Sequence, residues 1–174
     1  MTHMRYSFLP FVIPLLTVNQ NQAECDIIVR LAIKLQEHDK SYRIITPYSG
    51  PRQLIEDKMK ETPDLYWGDK CFSVDSFQGF LYILVYFVIL IYFTGNEDDY
   101  IIISVVRSLG IGFLKNLRRT NVMLTRCKRG MFIISSQQFL AGPGASSLVG
   151  EMAVAAGPNS WLGVAEMEAD TFLT

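Results

Sequence analysis

Residues 100–106 constrain the fold of this chain more than any other segment, because they read Tyr-Ile-Ile-Ile-Ser-Val-Val without a charged side chain. A strand with one wet face alternates between apolar and polar residues, whereas a parallel strand covered by helices on both faces is apolar throughout. Further strands are predicted at 43–46, 71–74 and 131–135, and helices at 23–37, 49–60 and 116–128. Because strands and helices alternate, we predict an α/β fold with a parallel sheet and flanking helices.

The segment 117–130 contains five basic residues, and no Lys or Arg follows it. On the predicted helix, Arg119, Met123 and Arg126 are spaced i, i+4 and i+7, which would project two guanidinium groups from one face. Gly130 is predicted to end this helix. Planar, permanently charged groups on a rigid helix suit a phosphate ligand, and the alternative is a solvated basic face.

Several short motifs accompany the basic segment in a defined order. They are Ile44-Ile45-Thr46-Pro47-Tyr48, Val74-Asp75-Ser76-Phe77-Gln78-Gly79, Asn96-Glu97-Asp98-Asp99-Tyr100, Val105-Val106-Arg107-Ser108, Gly112-Phe113-Leu114 and then the basic segment itself. Over residues 19–139 this set resembles the C-terminal RecA-like domain of superfamily 1 helicases, in the branch of the nonsense-mediated-decay helicase and senataxin. The resemblance implies a RecA-like parallel sheet of the P-loop NTPase type, present here as a partial domain.

For the nucleotide, the resemblance implies that Arg126, in Leu-Thr-Arg, is an arginine finger for the γ-phosphate of ATP. It implies that Arg119 supports this finger or holds the neighbouring loop. It implies that Glu97 contacts the ribose, and that Gln78 and Gly79 connect the nucleotide cleft with the nucleic-acid groove. Without the resemblance, Arg126 would be interpreted as a structural ion pair and Glu97 as part of a solvated turn.

The resemblance also implies a single-stranded RNA or DNA partner that is followed through its backbone without sequence readout. The implied contacts are Thr46, Pro47, Tyr48, Asp75, Ser76 and Phe77. Tyr48 could stack on a base or belong to the core. Pro51 stands where the family usually has Gln, which weakens the expectation of an intact strand-contacting helix after Tyr48.

Parts of a complete helicase are missing from these 174 residues: no Gly-x-x-x-x-Gly-Lys-Ser/Thr loop occurs, and no Asp-Glu pair follows an apolar strand. We therefore expect a truncated C-terminal half that holds neither ATP nor Mg²⁺ tightly alone and needs an N-terminal RecA-like domain as its partner. The alternatives are a catalytically inactive interaction module and a mispredicted or pseudogene product.

Residues 80–93 are fourteen apolar or tyrosine residues without a charge, placed between Gly79 and Asn96. Removing 80–95 restores a continuous Phe-Gln-Gly-Asn-Glu motif, so our hypothesis is a short retained intron that is translated in frame. A family-specific insertion is one alternative. A membrane segment at 80–94 is another, although a spanning helix needs about 20 apolar residues.

The remaining features set the domain boundaries and the compartment. We expect an apolar N-terminal extension at 1–18, the helicase-like domain at 19–140 with the 80–95 insert, and a flexible acidic tail at 141–174. Three cysteines without metal-ligand spacing favour reduced thiols, no metal site and a cytoplasmic or nuclear location. The net charge of −1 gives no general attraction to nucleic acid, so such contacts must be local.

Overall fold

The computed structural model describes residues 10–14, 20–74, 97–105 and 111–169. Five parallel strands form one sheet in the order β1-β5-β4-β2-β3. Their bounds are β1 Pro10–Pro14, β2 Tyr42–Thr46, β3 Cys71–Ser73, β4 Asp98–Ser104 and β5 Cys127–Ser135. The prediction of an α/β fold with a parallel sheet is confirmed.

Helices flank the sheet in the described part of the chain. They are α1 Gln20–Glu37, α2 Ser49–Glu61, α3 Leu117–Leu124, α4 Gln137–Ala141, α5 Leu148–Ala156 and α6 Val164–Glu168, with 3-10 turns at Gly112–Lys115 and Pro158–Ser160. The α2 helix forms although Pro51 lies in its first turn, where the missing N–H has no intrahelical partner in any case.

Strand β4 begins at Asp98 and not at the predicted residue 100, and its isoleucines are buried on both faces of the strand, as the uncharged run predicts. Ile101, Ile102 and Ile103 have no exposed surface, and successive side chains point to opposite faces of the sheet. Ile102 packs in the cluster that contains the buried side of α1, whereas Ile101 and Ile103 pack in the cluster that contains Met123 of α3. Helices therefore cover β4 from both sides.

The N-terminal boundary differs from the prediction. Residues 1–18 are predicted to lie outside the domain, yet Pro10–Pro14 pair with β5 and form an edge of the sheet. Proline cannot donate to a strand ladder and is tolerated at an edge, which is where this strand lies.

The predicted helix 116–128 is too long, because α3 ends at Leu124 and β5 begins at Cys127. Pairing of Asp98 with Cys127 and of Tyr100 with Gly130 draws this segment into the sheet. The helix-forming composition is overridden, since tertiary pairing outweighs the small differences in helix propensity.

Gly130 is therefore no helix terminator. It lies inside β5, and a Cβ atom there would come within 2.9 Å of the Tyr100 ring on the neighbouring strand. A side chain at this position would collide with that ring, so Gly130 is required for close packing and not for a left-handed backbone.

The segment after residue 141 is predicted to be a flexible acidic tail, and through Ala169 this is wrong. Ser147 caps α5 by accepting a hydrogen bond from the Gly150 N–H at 3.1 Å. Val149, Leu162 and Met167 are buried in the two clusters. Burial of these apolar side chains packs the segment against the rest of the domain. The helices of this segment are short and their apolar spacing is weak, so the sequence did not predict this packing.

Among the residues that the structure describes, no helix is long and apolar enough to cross a membrane. The segment 80–95 lies outside the described residues.

Candidate functional site

Because all five strands are parallel, their first residues meet at one edge of the sheet and their last residues at the other. We call these the amino edge and the carboxyl edge. Glu97 and Arg126 directly precede β4 and β5, so both lie at the amino edge. Thr46 ends β2, so Thr46, Pro47 and Tyr48 lie at the carboxyl edge.

At the amino edge, sheet pairing brings Glu97 and Arg126 together. The backbone N–H of Asp98 donates to the carbonyl oxygen of Arg126 at 3.2 Å. Burial is the main cause that raises the pKa of the neighbouring Cys127 thiol to about 12; a backbone hydrogen bond lowers this pKa, and the Glu97 carboxylate adds a smaller increase. Backbone pairing thus places Glu97 and Arg126 next to each other at the amino edge, although they are far apart in sequence.

Arg126 is held at the end of α3. Its Nε donates to the carbonyl oxygen of Val122 at 3.1 Å, and the side chain is half-buried. The hydroxyl of the neighbouring Thr125 donates to the Asn121 carbonyl at 2.9 Å. The Arg126 contact satisfies a carbonyl group that a helix leaves open at its C-terminus, and it orients the guanidinium across the last turn of α3.

The acidic residues that follow Glu97 are engaged in ion pairs. Asp98 lies 3.5 Å from Nε of Arg43, and Asp99 lies 3.4 Å from Nε of Arg129. The Arg43–Asp98 pair is half-buried, whereas Arg129 is exposed, and exposed pairs add little stability. Both pairs involve the first two residues of β4, which directly follow Glu97.

At the carboxyl edge, Thr46 and Pro47 are buried, and Tyr48 is half-buried. The Tyr48 N–H donates to the Thr46 hydroxyl at 3.4 Å. The Tyr48 hydroxyl accepts from the Phe113 N–H at 3.3 Å, and the two rings meet edge to face with centroids 6.4 Å apart. Arg119 lies over the same Phe113 ring at 5.7 Å.

The predicted pairing of Arg119 with Arg126 on one helix face is therefore wrong. Arg119 lies within α3, two residues from its start, and contacts Phe113, whereas Arg126 lies beyond the helix. Early termination of α3 removes the i, i+7 relation on which the prediction rested.

The strand order places Tyr48 at a topological switch point. After β2 the chain continues to β3 on one side, and after β4 it continues to β5 on the other. In open α/β sheets, the crevice between two such strands at the carboxyl edge is where ligands bind. Tyr48 directly follows β2 and touches Phe113, which comes after β4 in the chain, so Tyr48 lies at this switch point.

Glu24 also lies at the carboxyl edge, and it was not among the residues predicted from the sequence. It lies on α1 with 2% of its surface exposed and accepts a hydrogen bond from the hydroxyl of Ser104, the last residue of β4. Burial raises the pKa of Glu24 to about 8. The signal was available, since Glu24, Ile28, Leu31 and Leu35 follow the helical spacing of one buried face.

The remaining predicted site residues are Asp75, Ser76, Phe77, Gln78 and Gly79, which lie outside the described residues. Within the described ranges, no three His, Cys, Asp or Glu side chains are grouped so that they could hold a metal ion.

Comparisons with known proteins agree with the fold. A family profile described as an AAA domain matches residues 92–138. The regulator of nonsense transcripts 1 of Dictyostelium discoideum is 36% identical over 132 residues, covering 71% of this chain and 9% of that protein. The ATP-dependent helicase upf1 of Schizosaccharomyces pombe is 34% identical over 132 residues, covering 71% of this chain and 12% of that protein. The ATP-dependent helicase NAM7 of Saccharomyces cerevisiae is 35% identical over 124 residues, covering 67% of this chain and 11% of that protein.

These similarities and the parallel sheet support a RecA-like domain of the superfamily 1 helicase type. The matched region spans about a tenth of the length of these curated relatives.

Proposed function

We propose that this chain is the C-terminal RecA-like domain of an ATP-dependent helicase, with nucleotide contacts at its amino edge and a single-stranded nucleic-acid groove at its carboxyl edge. The observation that carries the proposal is the adjacency of Glu97 and Arg126, joined through the 3.2 Å hydrogen bond between Asp98 N and Arg126 O. Two residues with complementary chemistry toward a nucleotide are placed side by side although they are distant in sequence.

The chemistry of the amino edge suits the proposal. A guanidinium fork can bind two oxygens of a phosphate and offset charge that builds up on a transferred phosphoryl group. A carboxylate can accept hydrogen bonds from ribose hydroxyls. Arg126 would therefore serve as the arginine finger for ATP and Glu97 as the ribose contact, with Gln78 and Gly79 connecting this site to the groove.

The carboxyl edge offers a different chemistry. Thr46 and Pro47 bring backbone to the switch-point crevice, and Tyr48 presents an aromatic ring there. Backbone contacts with stacking give binding that tolerates any base sequence. Single-stranded RNA or DNA is the proposed ligand, with Asp75, Ser76 and Phe77 completing the groove. Arg119 belongs to this side through Phe113.

The proposal assigns the phosphate loop and the Mg²⁺ ligands to an N-terminal RecA-like partner domain. The 174 residues contain no Gly-x-x-x-x-Gly-Lys-Ser/Thr sequence, and the described residues offer no metal-binding group of side chains. The proposed location is cytoplasmic or nuclear, which suits the three free thiols. The segment 80–95 is proposed to be a retained intron, and sequencing the transcript and the genomic locus tests this directly.

The experiment joins this chain, without residues 80–95, to the N-terminal RecA-like domain of a helicase relative and measures ATP turnover with and without single-stranded RNA. Replacing Arg126 with Ala should lower turnover about 10³-fold. Arg118→Ala is the matched control, because Arg118 belongs to the same basic segment and is exposed. The unjoined chain should hydrolyse no ATP.

Equal turnover of the Arg126→Ala and Arg118→Ala proteins would contradict the finger role. Absence of turnover in the joined parent protein, together with normal folding, would favour the alternative that this chain is an inactive interaction module.

A further inference from the structure

A continuous set of contacts connects Tyr48 with the start of α3. Phe113 is held at three points: its N–H donates to the Tyr48 hydroxyl at 3.3 Å, its carbonyl accepts from the Asn116 N–H at 3.0 Å, and its ring lies beneath Arg119 at 5.7 Å. Tyr48 follows β2, whereas Asn116 and Arg119 both belong to the start of α3. The residue therefore joins the segment after β2 to the helix that precedes β5.

Asn116 continues this connection into α3. Its side-chain oxygen accepts from the Arg119 N–H at 3.2 Å, and its carbonyl accepts from the Thr120 N–H at 3.0 Å. Asn116 is thus the N-cap of α3. A displacement of Phe113 would reach the helix through its cap and through Arg119 together.

The helix has eight residues and a length of about 12 Å, and it leads from its cap Asn116 to Thr125 and Arg126, which directly precede β5. Its last turn accepts the Nε hydrogen bond of Arg126 through Val122 O at 3.1 Å. A rigid element of this length transmits motion at one end to the other. Tyr48 and Arg126 are therefore connected by direct contacts from one edge of the sheet to the other.

We propose that Phe113 is a positioning residue that couples nucleic acid bound at Tyr48 to the arginine-bearing end of α3. This inference rests on the proposed function, because it requires single-stranded nucleic acid at the switch-point crevice. Tyr48 is half-buried, so a ligand in the crevice touches the ring whose hydroxyl holds Phe113. Binding that orders Tyr48 should order the Phe113 turn and then α3.

The test uses the full chain and a uridine oligonucleotide about 12 nucleotides long, within the usual range of site sizes for single-strand binding. Fluorescence anisotropy measures affinity, and hydrogen–deuterium exchange with mass spectrometry measures protection of residues 46–49 and 117–124. In the unaltered chain, we expect the oligonucleotide to slow exchange about fivefold or more in both segments, as coupling between sites typically requires.

Two variants interrupt the connection. Tyr48→Phe removes the hydroxyl that holds Phe113 and keeps the ring, and Phe113→Leu removes the ring beneath Arg119. In both, protection of 46–49 should persist while protection of 117–124 falls back to the unbound rate. Tyr66→Phe is the matched control, because it removes a hydroxyl from an exposed tyrosine outside the connected set. It should behave like the unaltered chain.

The outcomes separate the two proposals. If the unaltered chain does not bind the oligonucleotide, the proposed function is overturned, and the coupling is overturned with it. Binding without protection of 117–124 would overturn the coupling alone. Undiminished protection of α3 in both variants would show that α3 contacts the oligonucleotide directly, which also overturns the role of Phe113.

Discussion

Replacing Glu24 with Gln should abolish a pH dependence of stability that the buried carboxyl imposes on this fold. Glu24 is 2% exposed, and burial raises its pKa from an ordinary value of 4.5 to about 8. Between these values the folded protein keeps a proton that the unfolded chain releases. The contribution of Glu24 to stability is therefore fully present below pH 4.5 and is lost as the pH rises through 8.

The magnitude follows from the size of the pKa shift. At about 1.4 kcal/mol per pKa unit, the free energy of unfolding should fall by about 5 kcal/mol across this range. Gln retains a partner for the Ser104 hydroxyl and cannot ionise. The Glu24→Gln protein should therefore show a flat profile where the parent slopes downward.

Urea unfolding at a series of pH values, followed by circular dichroism, measures the effect. Glu61→Gln is the matched control, since Glu61 is exposed at the end of α2. Parallel profiles for the parent and the Glu24→Gln protein would refute the assignment of a buried, protonated carboxyl at this position.

Three further predictions concern packing, capping and the inserted segment. Gly130→Ala should lower the free energy of unfolding in urea by about 1–3 kcal/mol, because a Cβ atom would meet the Tyr100 ring at 2.9 Å. Gly50→Ala is the control: Gly50 has open space around it, so this change should be neutral or slightly stabilising. Asn116→Ala should lower the free energy of unfolding by about 1 kcal/mol, because α3 loses its N-cap. A loss no larger than that of an alanine substitution at an exposed site would contradict the capping role. Deleting residues 80–95 should raise solubility and sharpen thermal unfolding by removing an apolar run, and poorer behaviour of the shortened chain would argue against the retained intron.

Much of the sheet could be predicted from the sequence because its strands carry a strong local signal. The unbroken apolar run at 100–106 requires helices on both faces, and Ile101, Ile102 and Ile103 are indeed buried from both sides. The order of the strands required pairing information that no single segment contains. The same holds for β1, whose two prolines argue against a strand until its edge position is known.

The arrangement of the candidate site residues could not be predicted from the sequence. Helix propensity favoured continuing α3 to residue 128, and only pairing of Cys127 and Gly130 with β4 shows why it stops. Arg119 consequently lies near the start of α3 beside Phe113, whereas Arg126 lies beyond the end of α3. Phe113 belongs to the Gly112-Phe113-Leu114 motif, but its contact with Tyr48 joins segments that are far apart in sequence and could not be predicted from either one.

Turnover of the Arg126→Lys protein tests the central claim most directly, measured in the joined protein beside Arg126→Ala and the parent. Lysine keeps the positive charge but loses the planar fork that reaches two phosphate oxygens. We expect Arg126→Lys to lose nearly as much turnover as Arg126→Ala, about 10³-fold. Nucleotide affinity should change far less, because the contact of Arg126 with the phosphate strengthens mainly in the transition state. Turnover of the Lys protein close to that of the parent would show that Arg126 is a structural cation held against Val122 and not an arginine finger.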